Sequence, residues 1–202
     1  MKKAYLYVHG RGGNAAEAGH YAAVLPGCDV FGAEYRGETP WDTETELREA
    51  FERLTAEYDS VGVIANSIGA YYILNALGNG PDCRIARAFF ISPIVDMERL
   101  ILDMLAWNGS TEAQLREAGE IRTSFGETLS WRYLRYAREH PLRWNEPTRI
   151  LYGERDNLTD FETVSAFAGR IGADLTVMQG GEHWFHTEEQ TAFLDEWLRG
   201  NK

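Results

Sequence analysis

An α/β architecture, a mostly parallel six-stranded sheet covered by helices on both faces, is predicted by three features of this chain. Short apolar runs alternate with segments of helical periodicity along most of the sequence. Those runs lack the polar alternation of half-exposed strands, so burial on both faces is expected, the condition of parallel strands. Ser67, Asp156 and His183 each follow such a run, where open parallel sheets present their functional groups.

Residues 4–8 read as the first strand, His9-Gly10-Arg11-Gly12-Gly13-Asn14 as a loop, and residues 15–25 as a helix stopped by Pro26-Gly27. Residues 29–34 are a second strand and 35–41 a loop. Thr43-Glu44-Thr45-Glu46 matches a capping box, with Leu47, Ala50, Phe51 and Leu54 behind it at helical spacing. A third apolar run, from Ser60, ends at Ser67, and a helix follows from Ile68 to about Leu77, stopped by Gly78, Gly80 and Pro81. The fourth strand is 87–91, the fifth 148–152 and the sixth 175–178. Thr159-Asp160-Phe161-Glu162 and Thr187-Glu188-Glu189-Gln190 cap the last two helices.

Between about residues 97 and 146 strand signals vanish. Leu100, Ile101, Met104 and Leu105 share one helical face, Thr111-Glu112-Ala113-Gln114 caps a second piece, and Trp131, Leu134, Tyr136 and Ala137 belong to a third. The expected organisation is one domain, residues 1–202, with this stretch as a helical cap inserted after the fourth strand.

A chain of 202 residues buries about 70% of its unfolded surface, so no disulfide staples are needed. The net charge of −11 argues against nucleic acid and anionic membrane surfaces as partners. Cys28 and Cys83 fit no metal or redox spacing and read as reduced thiols of a cytoplasmic protein. The apolar run at the N-terminus is too short for a signal peptide, and none reaches membrane-spanning length. Lysine occurs only at positions 2, 3 and 202. An interior Schiff base, a lysine grip on a nucleotide phosphate and a Tyr-x-x-x-Lys pair are therefore absent.

The stretch Val63-Ile64-Ala65-Asn66-Ser67-Ile68-Gly69-Ala70 passes from strand to helix within one residue. Small side chains at 65, 69 and 70 let the helix fold back on the strand, and Ser67 is expected near φ > 0, a strain of roughly 1–3 kcal/mol. A serine hydroxyl is a weak nucleophile at neutral pH and needs a base. Histidine titrates in the right range and can return the proton to a leaving group. A carboxylate then fixes the imidazole tautomer and stabilises the imidazolium.

This stretch resembles the nucleophile elbow of the α/β-hydrolase superfamily, Gly-x-Ser-x-Gly, with Ala65 in place of the first glycine. The order Ser67, Asp156, His183 is similar to that family's triad, Gly153-x-x-Asp156 to its acid loop and Gly181-x-His183 to its histidine loop. His9-Gly10 resembles its His-Gly loop. The resemblance spans the chain except residues 97–146 and implies a compact member lacking the two strands that begin larger ones. It implies a serine hydrolase acting on a small acyl substrate (an ester, thioester or amide), with no metal or organic cofactor. The backbone N–H groups of Arg11 and Ile68 would form the oxyanion hole.

Alternatives stay open at this point. Asp96, after the fourth strand, competes with Asp156 as the acid, and His186 with His183 as the base. Gly10-Arg11-Gly12-Gly13-Asn14-Ala15 also fits a Gly-x-Gly-x-x-Ala dinucleotide loop, with Glu34 at the end of the second strand as a ribose partner. That nucleotide-dependent oxidoreductase reading leaves Ser67, Asp156 and His183 unexplained. A non-catalytic binding member of the same fold, acyl transfer to an acceptor other than water, and a metal held by Glu182, His183 and His186 are further readings. A mainly apolar pocket is expected, with Trp107 and Trp131 of the insert and Tyr35 of the loop after the second strand as walls.

Overall fold

A computed structural model of the chain describes residues 1–78 and 85–201. Gly80, Pro81 and Cys83 lie outside the described residues. In order the elements are β1 (Lys3–Val8), a 3-10 turn (Ala15–Glu17), α1 (Ala18–Val24), β2 (Asp29–Gly32), α2 (Pro40–Glu57), β3 (Ser60–Asn66), α3 (Ile68–Gly78) and β4 (Ala88–Ile91). Next come α4 (Met97–Trp107), α5 (Glu112–Ala118), β5 (Glu120–Arg122), β6 (Thr128–Ser130) and α6 (Trp131–Glu139). The last are β7 (Thr148–Gly153), α7 (Phe161–Ile171), β8 (Asp174–Met178) and α8 (Glu188–Gly200).

Six strands form one sheet in the order β2-β1-β3-β4-β7-β8, with every pairing parallel. The central strands are buried almost throughout: Tyr7, Ile64, Phe89 and Leu151 are each 0% exposed. Burying one such side chain is worth about 1.5–3 kcal/mol, which is why the unbroken apolar runs settle in the middle of the sheet. Tyr7, Ile64, Ile91 and Leu151 point to one face, where Tyr21 and Val24 of α1 and Leu194, Trp197 and Leu198 of α8 cover them. On the other face α2 packs on α3, and Phe161 of α7 meets the Tyr152 ring.

The chain divides into two compact units: Met1–Val95 with the residues from Leu142 onward, and Asp96–Pro141. The first carries the sheet. In the second, α4 packs on α6 and β6, and Arg138 of α6 grips Glu98 of α4 at 2.7 Å and both oxygens of Glu112 of α5 at 2.6 and 2.9 Å. The helical signals of this stretch predict helices throughout, and the structure differs. β5 and β6 form an antiparallel hairpin, turned at Gly126 with φ of 94°. Strands of three residues are too short for alternation to register.

Two helix starts also differ from expectation. α2 begins at Pro40, with Thr39 before it, because proline suits the first helical position, where no N–H bond is needed. Thr43 is then inside the first turn and turns its hydroxyl back to the Thr39 carbonyl at 3.1 Å. α7 is capped by Asp160, which accepts from Thr163 N–H at 2.7 Å, rather than by Thr159. Thr111 and Thr187 cap α5 and α8 as expected, with the reciprocal bond of a full capping box made by Gln114 at Thr111 and a single bond, from Gln190 N–H, at Thr187.

Candidate active site

Ser67 occupies the single residue between β3 and α3, with φ of 53°. That left-handed conformation costs a non-glycine residue roughly 1–3 kcal/mol, and the surroundings hold it. Ser67 N–H donates to Ile91 O at 2.9 Å, and its carbonyl accepts from Ala70 N–H and Ile94 N–H, both at 3.1 Å. The end of β4 therefore braces the turn. Ser92, just beyond it, has a positive φ of 43° as well.

Ser67 Oγ lies 2.8 Å from His183 Nε2. His183 Nδ1 lies 2.7 Å from Asp156 Oδ2. The side chains of His183 and Asp156 are both 0% exposed. The other carboxylate oxygen, Oδ1, accepts from Leu158 N–H at 2.8 Å and Thr159 N–H at 3.1 Å. Asp156 can accept only from an Nδ1–H, so the neutral ring presents its Nε2 lone pair to Ser67.

The acid and histidine loops are joined to each other, which explains the convergence. Arg155 N–H donates to Gly181 O at 2.8 Å, Glu154 N–H to Met178 O at 3.0 Å, and Gly180 N–H to Glu154 Oε2 at 2.8 Å. Tyr152 Oη ties down the acid loop by donating to Thr159 O at 2.9 Å. Burial first, then the carboxylates of Asp156 and Asp160, push that phenol up to about 12, so it remains a donor across the neutral range. Beyond His183, Phe185 takes a φ of 44° and drops its ring into the apolar cluster with Tyr7, Tyr21 and Leu194. Nothing in the sequence marked Phe185 or Ser92, since neither strained position is a glycine.

The alternatives have other employment. Asp96 is the N-cap of α4, accepting from Arg99 N–H at 2.9 Å. His186 is exposed and lies 3.5 Å from Glu182. Among the described residues no group of three or more His, Cys, Asp or Glu side chains is gathered. The glycine loop after β1 runs into a capped turn: Asn14 accepts from Ala16 N–H at 3.0 Å while Glu17 accepts from Asn14 N–H at 3.1 Å. Gly10 in that loop lies against the serine, where an added Cβ would stand 3.1 Å from Ser67 Cβ. Glu34 is exposed.

A cleft of about 160 Å³ opens beside the turn, lined by Gly10, Arg11, Tyr35, Arg36, Ile68 and Tyr72 among others. Arg11 and Ile68 therefore share one wall system with Tyr35. The lining is more polar than the sequence led us to expect, with two arginines and two tyrosines. Trp107 and Trp131 belong to the second unit. There the Trp107 ring meets Phe125 edge-on at 6.4 Å, and Arg116 lies over Trp131 at 6.0 Å. No helix among the described residues is long and apolar enough to cross a membrane.

No protein-family model matches the chain, and no curated protein matches its sequence. Solved structures do. Est1E from Butyrivibrio proteoclasticus superposes with a TM-score of 0.75 at 19% identity, over 100% of this chain and 87% of that one. A ferulic acid complex of Est1E is similar at 0.73 and 18%, over 98% and 87%. The thermophilic esterase Est2 of Thermogutta terrifontis, with propionate bound, gives 0.60 and 19%, over 100% and 84%. At such identities the likeness shows a shared fold.

Proposed function

We propose that this chain, whose fold is that of the α/β hydrolases, is a serine hydrolase that cleaves a small ester, thioester or amide through an acyl-enzyme on Ser67. The observation that carries the proposal is the continuous relay of 2.8 Å from Ser67 Oγ to His183 Nε2 and 2.7 Å from His183 Nδ1 to Asp156 Oδ2.

As Ser67 Oγ attacks the acyl carbon, His183 Nε2 takes its proton, and Asp156 stabilises the imidazolium. The carbonyl oxygen becomes an oxyanion, held by the backbone N–H groups of Arg11 and Ile68, two residues that line the cleft. Each such donor is typically worth about 10²–10³ in turnover. Collapse breaks the bond to the leaving group, which takes the proton from His183. A water then gives a proton to His183 as it attacks the acyl carbon, the bond from that carbon to Ser67 Oγ breaks, His183 returns the proton to Oγ, and the acid leaves.

The cleft beside Arg11 and Ile68 supports a small substrate. At about 160 Å³ it is close to the roughly 150 Å³ cavity that accepts a benzene molecule. That match in size favours a short acyl chain or a single ring over a long fatty acyl chain. Propionate in Est2 and ferulic acid in Est1E bracket the acids worth testing here. The proposal includes a cytoplasmic setting and no metal or organic cofactor.

The test is covalent labelling by a fluorophosphonate with the modified residue located by mass spectrometry, followed by turnover of p-nitrophenyl esters of increasing chain length. Label on Ser67 and a preference for chains of about two to six carbons are expected. No label and no turnover would return the chain to a binding role.

A further inference from the structure

We propose that Tyr35 is a positioning residue that holds the oxyanion loop in register, an inference that rests on the hydrolase reading above. The Gly10–Arg11 peptide is planar and trans, so its carbonyl and its N–H point in opposite directions. Whatever grips Gly10 O therefore aims Arg11 N–H. Two donors grip it: His9 Nδ1–H at 2.8 Å and Gly13 N–H at 3.1 Å. A carbonyl only accepts, so the His9 proton resides on Nδ1.

The His9 ring is in turn held by Tyr35. The two rings stack with centroids 4.2 Å apart and planes 7° from parallel. Tyr35 Oη donates to the His9 carbonyl at 2.6 Å and stands 3.2 Å from His9 Nδ1. One hydroxyl thus fixes the His9 backbone while the ring fixes the His9 side chain. The same carbonyl also abuts Gly69, where a Cβ would come within 2.4 Å of it. Tyr35 is itself buttressed by Tyr72, edge-on at 5.9 Å, whose hydroxyl donates to Glu38 O at 2.7 Å. Burial chiefly, with smaller contributions from Tyr72 and Glu17, raises the Tyr35 pKa, so the phenol keeps the proton it donates.

Tyr35 therefore acts on the reaction through two intermediaries: it orients His9, His9 orients the Gly10 carbonyl, and that peptide aims its N–H at the developing oxyanion. The loop after β2, which carries no triad residue, is what makes the hole rigid. Such preorganised donors lose effect steeply when they move.

Tyr35→Phe keeps the ring and removes only the hydroxyl. On a short-chain p-nitrophenyl ester its kcat should fall about tenfold or more with KM within about twofold, and the fluorophosphonate labelling rate should fall by a similar factor. His9→Asn, whose amide N–H can replace Nδ1–H, should retain about ten times the kcat of His9→Ala. Wild-type kcat in Tyr35→Phe, a change in KM alone, or equal kcat in the two His9 variants would overturn the inference. A melting temperature lowered with kcat intact would reduce Tyr35 to a packing residue and also overturn it. Absence of labelling in the wild-type protein would instead sink the underlying hydrolase reading, so the two failures are distinct.

Discussion

Gly69 lies so close to His9 that a Cβ at position 69 would stand 2.4 Å from His9 O and 2.5 Å from Val8 O. The first turn of α3 presses directly on the backbone at the end of β1. The elbow and the oxyanion loop are therefore one packed object, and only a residue without a side chain allows it.

Gly69→Ala tests that contact. Backbone carbonyls cannot step aside as a flexible side chain can, so an overpacking loss of about 1–3 kcal/mol is expected. At this chain length the melting temperature should drop by about 2–12 °C. Activity should fall too, since the displaced carbonyl belongs to His9. An unchanged melting curve and kcat would contradict the contact.

Asp156 and Asp96 should separate cleanly. Asp156→Asn presents an amide where His183 Nδ1–H needs an acceptor, and kcat should fall about 10⁴-fold with the fold retained. Asp96→Ala removes the cap on α4 and should cost about 0.5–2 kcal/mol of stability while leaving kcat unchanged. The reverse pattern would make Asp96 the catalytic acid.

The two histidines of the last loop should differ just as sharply. His183 is 1% exposed and bonded on both ring nitrogens. His186 is solvated, with a 3.5 Å contact to Glu182. His186→Ala should change stability by no more than about 0.5 kcal/mol and leave turnover nearly intact. His183→Ala should remove turnover. Steady-state kinetics on both variants decides.

Within the second unit, Arg138 sets a pH dependence. The hydrogen bond from Arg138, ahead of charge attraction, holds the Glu112 carboxyl below its usual value. A carboxyl depressed on folding stabilises fully above its unfolded pKa and loses that contribution as pH falls through its lower folded value. The stability gap between wild type and Arg138→Met should therefore be present at neutral pH and close in acid. The groups are solvent-accessible, so salt should narrow the gap as well. Melting curves across pH and ionic strength check both; a gap that persists unchanged in acid contradicts the assignment.

The sequence disclosed most about the sheet, because buried parallel strands are continuous apolar runs and because Ser67, Asp156 and His183 each follow one of them. The meeting of those side chains depends on the stitching of residues 154–155 to 178–181, which leaves no pattern of its own. Tyr35 is a loop tyrosine whose hydroxyl target is a backbone carbonyl, and backbone partners are invisible in a sequence. The start of α2 was misplaced because Thr43-x-x-Glu46 fits a capping box while Pro40, three residues earlier, had already set the helical φ. β2 ends at Gly32 rather than running on; Ala33 still donates to Tyr7 O at 2.8 Å, and Glu34 beyond it is exposed.

The most direct measurement is the turnover of Ser67→Ala on the best short-chain ester. A fall of about 10⁴-fold or more, with the melting curve preserved and fluorophosphonate label lost, is the result expected of an acyl-enzyme formed on that hydroxyl. Turnover equal to wild type would mean that Ser67 is not the nucleophile.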